Sequence, residues 1–589
     1  MDQKHPVIYY VRRYHKAFSL GLFVLLITNA LDAIYPLYIK QGIDQVTHLG
    51  STQDLTWTAL KLLGIMSLLA ITRYFWRSIF GQYHTQVAED VRNRLFQHLL
   101  KMGPQFYQKY TVGELMSLII NDVQAFRQGI GQGLLILFDG VSILFLVIPL
   151  MLYLNWKWTL WCLILFPLVP LLIYKVNRLI HARFKKQQDQ LSEISGFIQE
   201  LIGGIKVVKS FAKEDLKLKQ FNLKSKELEN ISNQVSLVDA LFIPVMQFGV
   251  ASGTVVLLFV AADDIVLGIA TIGSLVAFQR FISKLTWPMT ALGLGLSQYQ
   301  KGMAAYERIK EVLQSQSEIT DHGRLVLDEI QSIEFNDLSF RYPGASEYVL
   351  KNLSLKIAKG ETLAIVGPIA SGKSTLIQLL ARMYEIDDNK ILINQQCYKK
   401  YTLDSLRKKI VIIPQEPFLF SDTVAENINF GADSSLDFDS KIIELENICD
   451  QVAILKEIQE LPHSFQTVLG EKGVNLSGGQ KQRLTIARAI RLPSELLVFD
   501  DNLSAVDYNT ESTIQKNLFR NDPQQKKTQI IISHRWSSVV NADKILVLNQ
   551  GVQEAFGTLE SILIHSPTLQ NMIQTQTHTE NSAVGASHV

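Results

Sequence analysis

The chain reads as two parts of different fold class, a helical domain that spans a membrane followed by an α/β domain built around a phosphate-binding loop. Three observations predict this. Six mostly apolar stretches, each near the ~20 residues a helix needs to cross a hydrocarbon core, lie before residue 300. After residue 333, short β-branched runs such as LAIV and ELLVFD alternate with helical patterns such as KSTLIQLLARMY, the rhythm of parallel βαβ units. Finally, Gly367-Pro368-Ile369-Ala370-Ser371-Gly372-Lys373-Ser374 follows the strand LAIV and opens a helix, which is the spacing and the context of a P-loop.

The six stretches lie near 17–39, 56–79, 134–154, 158–176, 238–260 and 271–297. The third and fourth are joined by a short turn around Asn155, and the fifth and sixth by 261–270, which carries Asp263 and Asp264. By contrast the connections 80–133 and 177–237 are long and helical in pattern, with five and eleven basic residues, and the N-terminal tail holds four. On the opposite side stand Lys40 and Lys157, so the positive-inside rule puts both termini and both long loops in the cytoplasm. The basic start MDQKHPVIYYVRRYHK runs into a long apolar stretch with no small-residue cleavage site, which reads as an anchor rather than a cleaved signal.

Composition agrees. Hydrophobic residues make up 47% and charged ones 19%, unusually apolar for a soluble protein. A net charge of +2 spread over 589 residues lacks the concentrated basic face that nucleic acid requires, so no nucleic-acid partner is expected. Cys162, Cys397 and Cys449 are too scattered for a disulfide framework or a zinc site. Helical periodicity fades near Ser315, giving a transmembrane domain over 1–310, a linker over 311–332, a nucleotide-binding domain over 333–575 and a polar, disordered tail over 576–589.

Ionisable residues inside spans are costly and default to functional roles, and Asp32, Arg280 and Lys284 stand out on this ground. Arg280 and Lys284 share a helix face, and Asp32 lies at a depth similar to Arg280. Two readings follow: an Asp32 to Arg280 pair, or a cavity face that attracts anionic amphiphiles.

In the second part, backbone N–H groups of the P-loop and the helix start at Lys373, Ser374 and Thr375 can wrap the β- and γ-phosphates of ATP. Lys373 adds a point charge and Ser374 a ligand for Mg²⁺. Leu496-Leu497-Val498-Phe499-Asp500 suits a buried strand ending in a second Mg²⁺ ligand, Asp500. Between them stands Leu476-Ser477-Gly478-Gly479-Gln480, a serine and glycines at a helix start, suited to capping an anion.

These residues resemble the ATP-binding-cassette (ABC) transporters, whose signature is LSGGQ. The resemblance implies that Leu476 to Gln480 close over the γ-phosphate of ATP held by a partner's P-loop. It further implies that Tyr342 in FRYPG stacks on adenine, that Gln415 in VIIPQEPFLF is the Q-loop sensor and a metal contact, that Asp507 ends the D-loop SAVD, and that His534 in ISHR is the switch histidine. TVGELMSLIINDV, SGFIQELIGGIKVVKSFAKED, LTWPM and TVLGEKG look like the exporter branch, nearest bacterial multidrug-resistance-like half-transporters. The implied fold is an α-helical transmembrane domain of six helices, ABC exporter type, fused to an α/β P-loop NTPase, the ABC ATPase domain. Coupling levers are expected near 111–122 and 206–214.

Two departures stand out. A P-loop glycine usual in the family is replaced by Ala370, an exchange expected to be tolerated with φ negative. Asp501 stands where the family carries a catalytic glutamate, so the carboxylate retreats by over about 1 Å, a misplacement that costs on the order of 10²-fold in rate. A heterodimer follows, in which a second half-transporter supplies the active glutamate; a homodimer that makes do with Asp501 is the alternative. The expected activity is ATP-driven export of hydrophobic or amphipathic compounds, drugs or lipids, across a bacterial inner membrane. The rival readings are a homodimeric lipid flippase and an ATP-gated channel or regulatory protein.

Overall fold

The computed structural model describes residues 5–47, 50–165, 168–432, 438–502, 508–518, 527–533 and 535–574. It divides into two units, Met1–Leu100 with Tyr110–Ser315, and Lys101–Lys109 with Gln316–Val589.

The first unit is built on α1 (His15–Thr47), α2 (Thr52–Leu99), α3 (Leu134–Leu154), α4 (Trp156–Leu165), α5 (Leu168–Gly203), α6 (Glu214–Asp239), α7 (Phe242–Val266) and α8 (Ile272–Gln314). Apolar runs of this length become helices because only a helix satisfies its own backbone where water is absent. Side chains mark the starts: Ser51 accepts from the Asp54 N–H ahead of α2, and Thr271 from the Ser274 N–H ahead of α8. Each expected span falls on this helical framework, with residues 166–167 of the fourth outside the described residues. Four stretches, His15–Thr47, Thr52–Leu99, Val112–Leu154 and Glu214–Val266, are long and apolar enough to cross a membrane among the described residues. The sixth expected span lies on α8, where Gln279, Arg280, Ser283 and Lys284 dilute the apolar character.

Packing in this unit relies on close backbone approach. A Cβ on Gly129 would lie 2.7 Å from the Gly302 Cα, so the helical run leading into α3 meets α8 nearly backbone to backbone. Trp158 is wholly buried, its ring edge-on to Phe278 at 5.6 Å and its indole N–H donated to Asp264 at 2.8 Å. The expected Asp32 to Arg280 pair does not form. Asp32 receives Lys284 of α8 and, at 3.3 Å, Arg73 of α2, while Arg280 is exposed and makes no ion pair among the described residues. Arg280 and Lys284 are about one turn apart, about 6 Å along the axis, so a small offset between the helices decides which of them reaches Asp32.

Among the described residues the second unit centres on ten strands: β1 (Ser332–Phe340), β2 (Leu350–Ala358), β3 (Thr362–Val366), β4 (Ile391–Ile393), β5 (Gln396–Cys397), β6 (Ile410–Ile413), β7 (Leu496–Asp500), β8 (Thr528–Ile532), β9 (Lys544–Asn549) and β10 (Val552–Gly557). Their order is β5-β4-β1-β2-β10-β9-β3-β8-β7-β6. The run β9-β3-β8-β7-β6 is parallel, as the alternating pattern predicts, and β3 and β8 are buried at every residue. Antiparallel pairing of β1 with β2 and β4, and of β10 with β9, forms the other side.

Leu363, Ile365, Leu376, Val498 and Ile530 share one core; Val424, Ile428, Leu476, Leu484 and Ile486 belong to another. Leu327 and Ile330, ahead of β1, are buried in the first of these cores. The short helix Pro104–Lys109 belongs to this unit, where Gln108 donates to the Tyr384 hydroxyl at 3.2 Å. The expected lever near 111–122 is helical as Val112–Ser117 and Leu118–Asp122, and that near 206–214 as Ile205–Ser210, both within the first unit. The tail expected over 576–589 lies outside the described residues.

Candidate functional site

The site begins where β3 ends. Gly367 has φ +153° and lies so close to β9 that a Cβ there would sit 2.0 Å from the Leu548 carbonyl oxygen. Gly372 has φ +98°, and a Cβ would meet Leu350 at 2.7 Å. These two glycines let the chain turn from β3 into α9 (Lys373–Leu380) against its neighbours. The Lys373 ammonium donates to the carbonyls of Gly367 at 2.9 Å and Pro368 at 2.7 Å, drawing the loop into a ring. Pro368, Ile369 and Ala370 form the exposed crest, whereas Ser371, Lys373 and Thr375 are buried, and the Ser371 hydroxyl has no partner among the described residues.

Ala370 departs from expectation. Its φ is +64°, in the left-handed region that glycine occupies without penalty. The turn between two fixed glycines demands that conformation whichever residue fills it, so the methyl group is carried under strain.

β7 lies one strand beyond β8 from β3, and its C-terminus brings Asp500 to the start of α9. There the Ser374 hydroxyl donates to Asp500 at 3.1 Å. Burial pushes the Asp500 carboxyl above its ordinary value, the Ser374 hydroxyl pulls it back, and Asp501 pushes it up again. Burial likewise holds Lys373 below the usual lysine range, against the pull of Asp501 and Asp500. A half-buried carboxylate and hydroxyl side by side, beside an ammonium and a ring of backbone N–H groups, fit a phosphate with a hard divalent cation.

Asp501 has φ +45°, and its N–H donates to the Ile532 carbonyl at 3.0 Å, which fixes its backbone against β8. Gln415 is exposed two residues past β6, whose Ile413 pairs with Phe499 of β7, so it too belongs to this end of the sheet. The Tyr342 hydroxyl shares a hydrogen bond with Thr375 at 2.9 Å, and its ring stands edge-on to Tyr384 at 5.2 Å. The sequence-predicted Asp507 and His534 lie outside the described residues.

Leu476 to Gln480 form a separate feature. Ser477 caps α10 (Gly478–Arg491): its hydroxyl accepts from the Gln480 N–H at 3.3 Å, and the Gln480 side chain accepts from the Ser477 N–H at 2.8 Å. Leu476 is buried in the second core while Ser477 and Gly478 are exposed, and among the described residues nothing lies within 4 Å of where a Gly478 Cβ would be. No hydrogen bond joins this helix start to the P-loop among the described residues.

Comparisons with known proteins agree with this geometry. Residues 18–289 match the ABC transporter transmembrane region and 350–504 the ABC transporter domain. The chain is 32% identical to a probable multidrug resistance ABC transporter ATP-binding/permease protein of Bacillus subtilis, over 95% of each chain. It is 30% identical to the ATP-dependent lipid A-core flippase of Escherichia coli, over 93% of this chain and 94% of that one. The chain belongs to the ABC transporter family. The fold of a bacterial Atm1-family ABC exporter with ATP bound superposes at a TM-score of 0.75, at 24% identity, over 96% of this chain and 98% of that one. The protein is thus a membrane-spanning ABC exporter whose cassette binds ATP and couples its hydrolysis to transport, and half-transporters of this family work in pairs.

The exporter's first unit also holds a cavity of about 610 Å³, lined by charged residues of α1, α2, α3 and α8. Lys284 and Asp32 stand in it, and so do Arg73, Arg77 and Asp139, which sequence reasoning passed over. The rule that singled out Asp32 applies equally to these three, since all fall inside expected spans.

Proposed function

We propose that this ABC exporter works as one half of a heterodimer, moving hydrophobic or amphipathic compounds outward across a bacterial inner membrane, with its cassette and both ends on the cytoplasmic side. Residues 1–310 form the transmembrane part, 311–332 the linker and 333–575 the cassette. Gly367, Pro368, Ile369, Ala370, Ser371, Gly372, Lys373, Ser374 and Thr375 bind the phosphates of ATP, and Tyr342 stacks on adenine. Ser374, Asp500 and Gln415 hold Mg²⁺, which supplies positive charge to the β- and γ-phosphate oxygens when bound. Leu476, Ser477, Gly478, Gly479 and Gln480, with Asp507, complete the partner's site across the dimer. His534 and Asp501 serve the attacking water at this chain's own site.

The observation that carries this reading is Asp501. Its N–H donates to the Ile532 carbonyl at 3.0 Å, which ties its main chain to β8, and from there its carboxylate reaches one methylene less far than a glutamate's. A carboxylate held back in this way orients water poorly, and a partner with glutamate does the faster hydrolysis. Two closed cassettes hold the membrane helices in one state, and hydrolysis releases them.

The test is to purify the chain alone and together with a second cassette subunit carrying the glutamate. The pair should hydrolyse ATP at an ordinary rate and the lone chain on the order of 10²-fold more slowly. An ordinary rate from the lone chain would favour instead a homodimeric lipid flippase, a reading supported by the 30% identity to the lipid A-core flippase.

A further inference from the structure

The cavity in the first unit has an unequal set of charges. Three cations, Arg73, Arg77 and Lys284, face two carboxylates, Asp32 and Asp139. Asp139 is occupied by neutral donors, the Asn29 amide at 2.9 Å and the Trp287 indole at 2.6 Å. Asp32 alone answers both Lys284 and Arg73. Arg77 lies over the Trp76 ring, 5.4 Å from its centroid, and makes no ion pair among the described residues. The indole N–H of Trp76 is buried with no acceptor among the described residues.

Charge inside a membrane domain is costly unless matched, so a cluster with a cation in excess and a spare buried donor favours an incoming anion. The remaining lining mixes apolar and aromatic side chains, including Phe80 and Leu135, with the polar Thr28, Asn29, His84 and Gln132, and the volume is within the usual ~300–1,000 Å³ of small-molecule sites.

We infer that this cavity binds an amphiphile by an acidic headgroup, a phosphate, sulfonate or carboxylate, held by Lys284, Arg73 and Arg77, with its tail along Phe80 and Leu135. Asp32 is the internal stand-in for that headgroup. It keeps Lys284 and Arg73 satisfied across three helices, and it yields them when the ligand's anion enters. The inference rests on the exporter reading and names the headgroup chemistry of the cargo.

The test uses the full-length protein with its partner subunit in nanodiscs of phosphatidylcholine, titrated with dodecyl phosphate and with dodecyltrimethylammonium, equal tails with opposite heads. Binding is followed by tryptophan fluorescence. The phosphate should bind and the ammonium should not. Lys284→Gln and Arg73→Gln should each weaken the phosphate roughly ten-fold or more, Lys284→Arg should restore it, and Asp32→Asn should tighten it. Arg77→Gln breaks no ion pair among the described residues and should still weaken binding, which separates loss of the site from misfolding.

Equal binding of the two heads, preference for the ammonium, or unchanged affinity in all three cation variants would overturn the inference. Competition by added phosphatidylglycerol supports it with a membrane lipid as the source; binding indifferent to that lipid supports it with a free amphiphile. A fluorescent ATP analogue in the same samples reports on the cassette. Headgroup preference absent with nucleotide bound removes this inference alone, whereas a wild-type protein that fails to bind nucleotide removes the exporter reading.

Discussion

Replacing Ala370 with glycine should stabilise the cassette, against the usual trend for glycine substitutions. Ala370 sits at φ +64°, where a Cβ crowds the following carbonyl at a cost of about 1–2 kcal/mol. Glycine removes that term but adds unfolded-state entropy of about 0.5–1 kcal/mol. The net gain is about 0.5–1 kcal/mol, and for a domain of roughly 150–250 residues each kcal/mol moves the midpoint by about 2–4 °C. The assay is the thermal midpoint of the transition that ATP protects in the full-length protein, since ligand raises the stability only of the unit it binds. A rise of about 1–4 °C is expected, with nucleotide affinity little changed because the phosphate contacts come from backbone N–H groups. The sign decides the matter. At negative φ the same exchange would destabilise by about 0.5–1 kcal/mol, so a fall in the midpoint refutes the left-handed turn at this position.

Asp501→Glu should raise turnover at this chain's own site by on the order of 10²-fold, measured with the partner's hydrolytic glutamate changed to glutamine so that only one site reports. An unchanged rate would show that the methylene is irrelevant. Gly367→Ala should abolish nucleotide binding, because the new Cβ would fall 2.0 Å from the Leu548 carbonyl; retained binding of a fluorescent ATP analogue would contradict the strand-loop contact. Glu554 accepts from Ser566 at 2.5 Å, from the Thr568 hydroxyl at 2.6 Å and N–H at 3.1 Å, and from Asn549 at 3.1 Å. Burial pushes its carboxyl up, but these donors outweigh burial and hold it below the ordinary glutamate value. Stability from this group is therefore present above the unfolded pKa near ~4.3 and lost as pH falls through the folded value. Glu554→Gln should cost about 1–2 kcal/mol at neutral pH and flatten the acid side of the stability profile, read by unfolding at several pH values.

Much of the cassette was legible because its chemistry is local. The P-loop, the strand ending at Asp500 and the serine-capped helix at Ser477 each depend on residues adjacent in sequence, and backbone hydrogen bonding gives such runs one favourable geometry. The parallel centre of the sheet followed from strands alternating with helices, whereas the antiparallel pairing of β1 with β2 and β4 rests on the strand order, even though Leu353, Leu355 and Ile357 alternate with polar residues as a half-buried strand does. Burial in apolar surroundings set the membrane helices in the same local way, since a long apolar run without water has no other structure.

Pairings between distant elements depend on how the helices and strands pack. Asp32 joins Lys284 and Arg73 rather than Arg280, a choice of one helical turn that depends on how α1, α2 and α8 are set against each other. Ala370 is left-handed because β9 presses on Gly367 and β2 on Gly372, neighbours that lie far away in sequence. Residue order alone sets which positions carry charge, phosphate-binding amides and apolar surface. Which of those charges meet, and where the backbone is strained, depends on contacts that exist only once the chain has closed on itself.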